Sequence, residues 1–494
     1  MGFLRQLLKL LVPKRLPGGV DRGQSTHSQA GAAAKPAGRG LTETPADGEQ
    51  ESVSIESPPV SRGFPPPETP KPKAKPRRDP YYVQVGLDFG TSYCKVVCRE
   101  IFRDRAWVHL SKSPADPERP FLLPSALQFQ SQTLSLAPAS AHYHEGGLPH
   151  VKVALAKVAG GEFEDDSVKP FRKAAGSVNN ELVKAFVVDC AVYLLGGIIA
   201  EVKEDVHERY SDFGDIDTDY MAVSLAVPVA DAEKPEIAQL FHEVLQRSFF
   251  CADSLGGYPA LTLAELSRLT QSMATDGDQQ KLKFFVYPEV SAGVQGFVRS
   301  RVSTDGIYVF SETGAATVDQ SVFILYRPKN DDPMLTYLNA SVLPLGSSRI
   351  EWLAAERERD TSPARLEHWR RLKEENDGSI SLRNARLELG EQLHDASWHT
   401  LGVARRKLPC VRQFDDIRVL FGGGGHTRDP YEKEVVSVFD DEDRRVHDRL
   451  FQPDVISLPM PRDLDPAEEI HRWMNRLWVA YGLSFYPVNA GREV

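Results

Sequence analysis

The chain has 494 residues, of which 41% are hydrophobic and 26% charged, and its net charge is −10. This length allows domains of roughly 100–200 residues each, and the composition is ordinary for a globular protein. The acidic balance argues against a general nucleic-acid-binding protein. Five scattered cysteines without a CxxC pair argue against a disulfide framework or a cysteine zinc site. The few scattered cysteines favour the reducing cytoplasm. No segment has the run of about 18 apolar residues that a membrane-spanning helix needs.

Charge divides the chain into a basic head and an acidic body. Residues 1–80 hold 13 Lys and Arg against 8 Asp and Glu, together with 13 of the 35 prolines. The remaining residues hold 46 basic against 61 acidic side chains. Within residues 1–16, apolar side chains recur at helical spacing opposite Arg5 and Lys9, which predicts a short amphipathic helix. Residues 17–80 are rich in Pro, Ala and Gly and predict a disordered linker.

The predicted head helix has three interpretations. Its apolar face is typical of a peripheral contact, through residues 1–12, with an anionic membrane surface at the inner face of the membrane, or of docking into a partner groove. A disordered start, or a helix packed on its own body, is the second interpretation. A secretory signal is the third, and Lys9 within the apolar run disfavours it.

The body opens with a strand that ends in small polar residues. The run 82–87 leads into Asp88-Phe89-Gly90-Thr91-Ser92-Tyr93, and a second β-rich run follows at 94–98. This pattern predicts a hairpin in which the glycine lets backbone N–H groups approach an anion and the two hydroxyls add donors. A carboxylate at the end of an apolar strand is costly to bury, so we expect it to face a cation or solvent.

The same pattern recurs more than 200 residues later. A strand at 307–310 leads into Ser311-Glu312-Thr313-Gly314-Ala315-Ala316-Thr317-Val318-Asp319 and returns at 321–325. The two hairpins predict an internally duplicated protein with two phosphate-binding turns and acids that hold a metal ion. A third strand, 417–421, precedes four glycines and then a helical stretch from Tyr431, an order that is typical of nucleotide-binding proteins. No GxxxxGK[ST] motif is present, so a P-loop enzyme is excluded.

These three motifs, in this order, carry a resemblance. DFGTSYCKVV, ETGAATVD and GGHTRDP resemble the phosphate 1, phosphate 2 and adenosine motifs of the superfamily of actin, sugar kinases and heat-shock ATPases. The likeness is greatest to the nucleotide-binding domain of the 70-kDa heat-shock chaperones, and it covers residues 81–494. It implies an α/β, two-lobed actin-like ATPase fold in which each lobe is a ribonuclease-H-like mixed sheet flanked by helices. Lobe I would be 81–300, and lobe II, 301–494, would end in a C-terminal helix, with no room for a peptide-binding domain. We expect this helix to span 466–481, with Trp473 in its buried face and Gly482 ending it.

The resemblance implies a role for each matching residue. A catalytic group would comprise Asp88, Lys152, Glu289, Glu312 and Asp319, with Lys157 as the alternative lysine. Mg²⁺ would be held, mostly through water, by Asp88, Glu312 and Asp319. The phosphates would be wrapped by Gly90, Thr91, Ser92 and Tyr93 from one lobe and by Gly314, Ala315, Ala316 and Thr317 from the other. Adenine and ribose would be framed by Gly424, Gly425 and Arg428.

The chain departs from the family pattern in its second phosphate turn. Glu312 stands where the family has aspartate, and Ala315 and Ala316 replace glycines. Because phosphoryl transfer depends on positioning, we expect slow hydrolysis of ATP to ADP and phosphate. The charged segment 351–375 predicts a solvent-facing helix pair and not a binding surface.

The resemblance implies an ATP- and ADP-binding protein with magnesium and leaves three functions open. The first is a chaperone-like switch, in which nucleotide closes a cleft and changes the affinity for an unidentified protein partner. The second is an actin-like cytoskeletal ATPase that forms filaments, with the head helix as a membrane contact and oligomers as its working state. The third is small-molecule phosphotransfer, as in sugar kinases.

Overall fold

The computed structural model describes residues 78–112, 114, 117–137, 143–144, 146–227, 234–271, 284–329, 333–408, 416–440, 452–465 and 470–485. The predicted head helix at 1–16 and nearly all of the predicted linker at 17–80 lie outside the described residues. The described chain is mixed α/β, with runs of strands and runs of helices along the sequence.

The strands and helices have the following bounds. The strands are β1 (Tyr82–Phe89), β2 (Tyr93–Glu100), β3 (Arg105–Val108), β4 (Leu123–Pro124), β5 (Leu127–Gln130), β6 (Thr133–Leu136), β7 (Gly147–Leu148), β8 (Tyr220–Val227), β9 (Leu261–Thr262), β10 (Phe284–Pro288), β11 (Gly306–Thr313), β12 (Val318–Tyr326), β13 (Met334–Leu343), β14 (Arg418–Gly422), β15 (Asp454–Ile456) and β16 (Leu464–Asp465). The α-helices are α1 (Val151–Ala159), α2 (Lys169–Ala175), α3 (Asn180–Arg209), α4 (Pro235–Leu255), α5 (Leu263–Gln271), α6 (Glu289–Val298), α7 (Ser348–Arg357), α8 (Pro363–Glu374), α9 (Ile380–Arg406), α10 (Tyr431–Ser437) and α11 (Met474–Leu483).

Two of the sheets share one topology. The first has the order β10-β8-β1-β2-β3-β16, with β4 paired to β2, and the second has the order β13-β12-β11-β14-β15. On one side of β1 lie two antiparallel pairings, to β2 and on to β3, and on its other side two parallel pairings, to β8 and on to β10. Strand β11 has the same neighbours in kind: β12 and β13 antiparallel, then β14 and β15 parallel. The two predicted hairpins are therefore confirmed, and the strand order around them repeats.

The predicted division at residue 300 remains a prediction, but sheet membership changes close to it. Strands β1–β4, β8 and β10 belong to the first sheet, and β11–β15 form the second. Strand β16 returns to the first sheet, where it pairs with β3 in parallel. Strands β7, β5, β6 and β9, in that order, form a small separate third sheet.

The central strands and the middle of helix α3 are apolar because other parts of the protein cover them. Every residue of β1 after Tyr82 is buried, as expected for a strand with sheet neighbours on both edges and helices on its faces. Among the described residues, α3 is long and apolar enough to span a membrane, which the sequence analysis overlooked, but 78% of its most apolar window is buried inside the protein. A buried core helix has the same composition, so α3 is weak evidence for a membrane span.

Two helices connect the sheets. Helix α6 follows a strand of the first sheet, yet Val290, Val294 and Phe297 pack in one cluster with side chains of β11 and β12. Helix α11 follows β16 of the first sheet; Leu477 and Trp478 pack with β2 and β3 of that sheet, and the helix also contacts β14 of the second sheet. The two helices pack closely against each other where α6 has a glycine. A Cβ on Gly296 would lie only 2.1 Å from the Trp478 ring, so a larger residue would not fit.

The C-terminal helix differs from its prediction in two details. We expected Gly482 to end it, but the helix continues to Leu483, and the glycine is needed for packing. A Cβ at Gly482 would lie 1.8 Å from the carbonyl oxygen of Ala292 on α6. Trp473, expected in the buried face, is only half-buried and precedes α11 in a 3-10 turn (His471–Trp473).

Substitution of Gly482 by alanine is expected to destabilise the protein by about 1–3 kcal/mol or more, because the added methyl group overlaps backbone that cannot yield. The matched control is Gly402→Ala on α9, where an added Cβ meets no atom within 4 Å. That control should be neutral or stabilising by up to about 1 kcal/mol, because alanine favours helix. Urea unfolding of both variants measures the difference, and equal stabilities would contradict the packing role of Gly482.

Candidate functional site

The first hairpin turn, residues 90–92, is held rigidly between β1 and β2. Gly90 donates its N–H to the Asp88 carbonyl oxygen at 3.0 Å. A Cβ on Gly90 would lie 2.3 Å from the Tyr93 carbonyl oxygen, so only glycine fits. The Ser125 hydroxyl donates to the Gly90 carbonyl oxygen at 2.6 Å. Thr91 therefore lies in a turn whose shape is fixed before any ligand binds.

The second hairpin turn, residues 314–317, is held in place by hydrogen bonds from the backbone of residues 346–348. The N–H of Gly314 donates to the carbonyl oxygen of residue 317 at 2.9 Å. Three N–H groups of the following segment donate to the turn: residue 346 to the carbonyl oxygen of residue 316 at 3.0 Å, residue 347 to that of residue 314 at 3.0 Å, and residue 348 to that of residue 315 at 2.8 Å. Gly346 permits this approach, since a Cβ there would lie 2.3 Å from the Ala316 carbonyl carbon. Within the described chain, the N–H groups of Ala315 and Ala316 donate to no backbone acceptor. They are available to an anionic ligand.

The glycine-rich turn after β14 lies against the end of β11. Gly423 has a φ of 82° and donates to the Asn475 carbonyl oxygen at 3.0 Å, while Gly425 donates to the Thr313 carbonyl oxygen at 3.2 Å. A Cβ on Gly423 would lie 2.3 Å from that same oxygen of Thr313. The glycines thus allow this turn to approach the second hairpin closely.

Four predicted carboxylates lie at one edge of the two sheets. Asp88 and Glu312 stand at the carboxyl ends of β1 and β11, Glu289 directly follows β10, and Asp319 begins the return strand β12. Asp88, Glu289 and Asp319 are each less than 9% exposed. The Thr317 hydroxyl donates to Asp319 Oδ2 at 2.8 Å. Ligands of open α/β sheets bind at such an edge.

Two lysines partly neutralise these acids. Lys95 forms an ion pair with Asp88, and Lys152 forms one with Glu289. Burial alone lowers the pKa of Lys152, but the charges of Glu289 and Asp88 outweigh burial and raise it above its ordinary value. Lys152 is therefore a permanent buried cation, whereas the alternative candidate, Lys157, is 31% exposed and pairs with Glu162.

Glu312 differs from the other three acids. Its Oε2 atom is buried and accepts no hydrogen bond. Burial, and then the charges of Glu289, Asp88 and Asp319, raise its pKa well above the ordinary value, with Lys95 opposing. A carboxyl group in this setting holds its proton until a cation or another donor reaches it.

One cavity of about 530 Å³ contains the whole set. This volume is within the usual range of small-molecule sites. All sixteen predicted site residues line the cavity: Asp88, Gly90, Thr91, Ser92, Tyr93, Lys152, Glu289, Glu312, Gly314, Ala315, Ala316, Thr317, Asp319, Gly424, Gly425 and Arg428. Their individual roles remain predictions.

Direct metal coordination is not arranged in the described part of the chain. No group of three or more His, Cys, Asp and Glu side chains there is placed to hold an ion. Asp88, whose carboxylate contacts Lys95, and Glu312, with its unsatisfied Oε2, are instead compatible with an ion held through its water shell.

A chain of polar contacts crosses the cavity wall. His150 Nδ1 lies 3.4 Å from the Thr91 carbonyl oxygen, and its Nε2 lies 3.4 Å from the Tyr143 hydroxyl. That hydroxyl donates to Glu351 at 3.2 Å, and Glu351 pairs with Lys373. The Tyr143 ring belongs to the core cluster of the second sheet, although the chain next to it pairs with the small third sheet. The contacts therefore join the first hairpin turn to helices α7 and α8.

Replacing Tyr143 by phenylalanine is expected to lower the free energy of unfolding by about 1–3 kcal/mol, because a fully buried Glu351 oxygen loses its donor. The matched control is Tyr326→Phe, at an exposed position, which should change little. Chemical denaturation measures both variants, and a neutral Tyr143→Phe would contradict the contact between hydroxyl and carboxylate.

The helix pair in the charged segment 351–375 exists, and its predicted solvent-facing character holds for most of its charges but not for Glu351, Arg370 and Lys373. Glu351 is 1% exposed, and residues of α8, among them Arg370 and Lys373, line the cavity. The sequence suggested a solvated surface because most charges of these helices do face solvent. Only the fold turns this small subset inwards.

Among the residues that line the cavity but were not predicted are Lys95, Tyr143, His150 and Arg476. The hairpin register carried a signal for Lys95, because a three-residue turn at 90–92 places it opposite Asp88. Arg476 also carried one, as a cation within the apolar run of the last helix. Tyr143 and His150 carried none, because their partners are remote in sequence.

No protein-family model matches the chain, and no curated protein matches it.

Proposed function

We propose that the chain is an ATP-binding and slowly ATP-hydrolysing protein with a two-lobed, actin-like ATPase fold, similar to the nucleotide-binding domain of the 70-kDa heat-shock chaperones. One observation carries the proposal: three turns that are far apart in sequence, two hairpin turns and one glycine-rich turn, line the same cavity. The repeated order of the two sheets supports the fold.

The turns bind the nucleotide in this proposal. Backbone N–H groups of Thr91, Ser92, Ala315 and Ala316 hold the β- and γ-phosphates, while Gly424, Gly425 and Arg428 frame the adenine and ribose. Magnesium ion, held through water by Asp88, Glu312 and Asp319, neutralises phosphate charge when it is bound. Lys152 lies where it stabilises charge that develops on the transferred phosphoryl group, and Glu289 positions Lys152.

The proposed output is a change in affinity for a partner protein. Helices α6 and α11 pack against both sheets, and the contacts of His150 and Tyr143 connect the first phosphate turn to helix α7. Nucleotide binding in the cavity shifts the equilibrium between alternative arrangements of these contacts. The surfaces around the contacts change with them. Hydrogen exchange with and without Mg·ATP should show altered protection in α7 and α8.

Calorimetry of the full chain with Mg·ATP tests the proposal. Binding with one site is expected, and Asp88→Asn should abolish its dependence on magnesium. Asp253→Asn, on an exposed residue that pairs with Lys203, is the matched control and should bind normally. Unchanged Mg·ATP affinity and turnover in Asp88→Asn would refute the site. Sedimentation of the same samples distinguishes the switch from the filament alternative, which predicts ATP-dependent pelleting.

A further inference from the structure

Lys95 is a cation that lies among the acids to which the proposed function assigns magnesium: Asp88, Glu312 and Asp319. It follows the first hairpin turn on β2, and the register of the hairpin places it directly opposite Asp88. Its ammonium group forms an ion pair with the Asp88 carboxylate, and the two side chains are 15% and 5% exposed. Burial raises the pKa of Glu312, and the charge of Lys95 opposes that rise. Two of the three acids are therefore already near a cation before any ligand binds.

The Lys95 ammonium group also lies against the first phosphate turn. A Cβ added to Gly90 would lie 3.3 Å from Lys95 Nζ, so the nitrogen is close to the backbone of that turn. Both residues line the cavity. Pairing with β1 holds the main chain of Lys95, but the stem of a lysine is flexible, so its ammonium group can move between neighbouring anions. An anion bound at the turn would therefore meet the same cation that Asp88 holds in the ligand-free chain.

The other buried lysine of the site has a different partner. Lys152 is affected by the charge of Asp88, but its ion pair is with Glu289, which the proposed function does not assign to magnesium. Within the described chain, the ion pair with Lys95 is the only one that Asp88 forms. Two cations repel each other when they share one carboxylate, most strongly where water is largely excluded. A hydrated metal ion that approaches Asp88 therefore competes with Lys95.

We propose that Lys95 is a displaceable counter-ion of Asp88, and that it sets the magnesium concentration that nucleotide binding requires. Without magnesium, the ammonium group stays beside Asp88 and also attracts the phosphates. With magnesium, Asp88 exchanges Lys95 for the hydrated ion, and the released ammonium group binds phosphate at the Gly90 turn as a point charge. The inference rests on the proposed function, which places the phosphates and magnesium at this edge of the sheets.

Calorimetry of the full chain with ADP, first in EDTA and then in saturating MgCl₂, tests the proposal by comparing the wild type with Lys95→Met. In EDTA the variant should bind ADP about tenfold or more weakly, the loss expected of one charge-assisted contact. In MgCl₂ the loss should be less than about threefold, because the freed Asp88 carboxylate holds the hydrated ion more firmly. The gain in affinity that magnesium gives should thus be larger in the variant than in the wild type.

Thermal unfolding in MgCl₂ without nucleotide gives a second readout. In the wild type, Lys95 holds Asp88, so MgCl₂ should raise the unfolding midpoint no more than NaCl of equal ionic strength does. In Lys95→Met, MgCl₂ should raise the midpoint clearly more than NaCl, because an ion that binds only the folded chain stabilises it. The matched control is Lys203→Met, which breaks an ion pair with Asp253 outside the cavity at a lysine that is 17% exposed. This control should behave as the wild type does in both experiments.

Each contrary result overturns the inference. Equal losses of ADP affinity in EDTA and in MgCl₂, or no loss in EDTA, would show that Lys95 does not compete with magnesium. Equal stabilisation of the wild type and Lys95→Met by MgCl₂ alone would show the same. Binding of ADP to the wild type in MgCl₂ but not in EDTA would refute the attraction of phosphate by Lys95 and leave the proposed function standing, whereas no nucleotide binding in either condition would refute both. Should Lys95→Met not fold, as judged by circular dichroism, Lys95→Gln is the second variant, because it retains a donor for Asp88 and should give the same pattern.

Discussion

Replacement of Lys152 by methionine should lower ATP turnover about 10²–10³-fold and change ATP affinity far less. A fixed cation in a buried site stabilises the charge that develops during phosphoryl transfer, and loss of one such group costs roughly this much in other enzymes. Lys152 is buried, and nearby acids keep it protonated, so its charge is present without any rearrangement. Single-turnover and steady-state assays with Mg·ATP measure the effect.

Stability must be separated from catalysis in this experiment. Lys152→Met leaves Glu289 as a buried charge without its partner, which costs about 3–5 kcal/mol when an ion pair is broken on one side. The double variant Lys152→Met/Glu289→Gln removes both charges, so it should recover most of the stability but not the turnover. Recovery of turnover together with stability would mean that Lys152 has only a structural role.

Lys157→Met is the matched control. Lys157 also lines the cavity and lies on the same helix, α1, but its ammonium group pairs with Glu162 and Asp165 and is partly exposed. This variant should retain at least about half of the turnover, as surface ion pairs contribute little. If Lys157→Met loses activity and Lys152→Met does not, the assignment of the catalytic lysine is wrong.

The sequence predicts those parts of the site that depend on local chain geometry. Each hairpin turn follows a buried strand and contains glycine, so its position and its exposed N–H groups can be inferred from neighbouring residues alone. The register of an antiparallel hairpin also places Lys95 beside Asp88, a pairing that the turn length determines. The glycine-rich turn follows for the same reason, since a strand, four glycines and a helix are contiguous.

The remaining parts depend on packing between distant segments. Tyr143 contacts Glu351 more than 200 residues away, and no periodic pattern in either segment indicates this. Gly482 was interpreted as a helix end because glycine disfavours helix, whereas the approach of Ala292 on another helix is the physical reason for it. Arg476 stands out in sequence as a cation within an apolar run, but its neighbours could not be predicted, because they come from the loop before β4 and from the turn after β14.

Substitution of Glu312 by glutamine should make the ligand-free protein more stable at pH 8 but not at pH 4.5. Burial and the surrounding acids raise the pKa of Glu312 well above its ordinary 4.5, so the folded protein binds this proton more tightly than the unfolded chain. Stability from this group is therefore complete below pH 4.5 and is lost as the pH rises towards the folded pKa, by up to about 1.4 kcal/mol per pH unit. Glutamine has the same shape as the protonated acid and cannot ionise.

The measurement is urea unfolding of both proteins without nucleotide, at intervals from pH 4.5 to pH 8. The stability of Glu312→Gln minus that of the wild type should start near zero and grow with pH, because all other titrating groups are common to both chains. Glu375→Gln, at an exposed position, is the matched control and should give a difference that does not vary with pH. A flat difference for Glu312→Gln as well would show that Glu312 is ionised in the folded protein at pH 8. It would then hold a full negative charge among three other acids, and the basis for regarding it as the protonated member of the group would be lost.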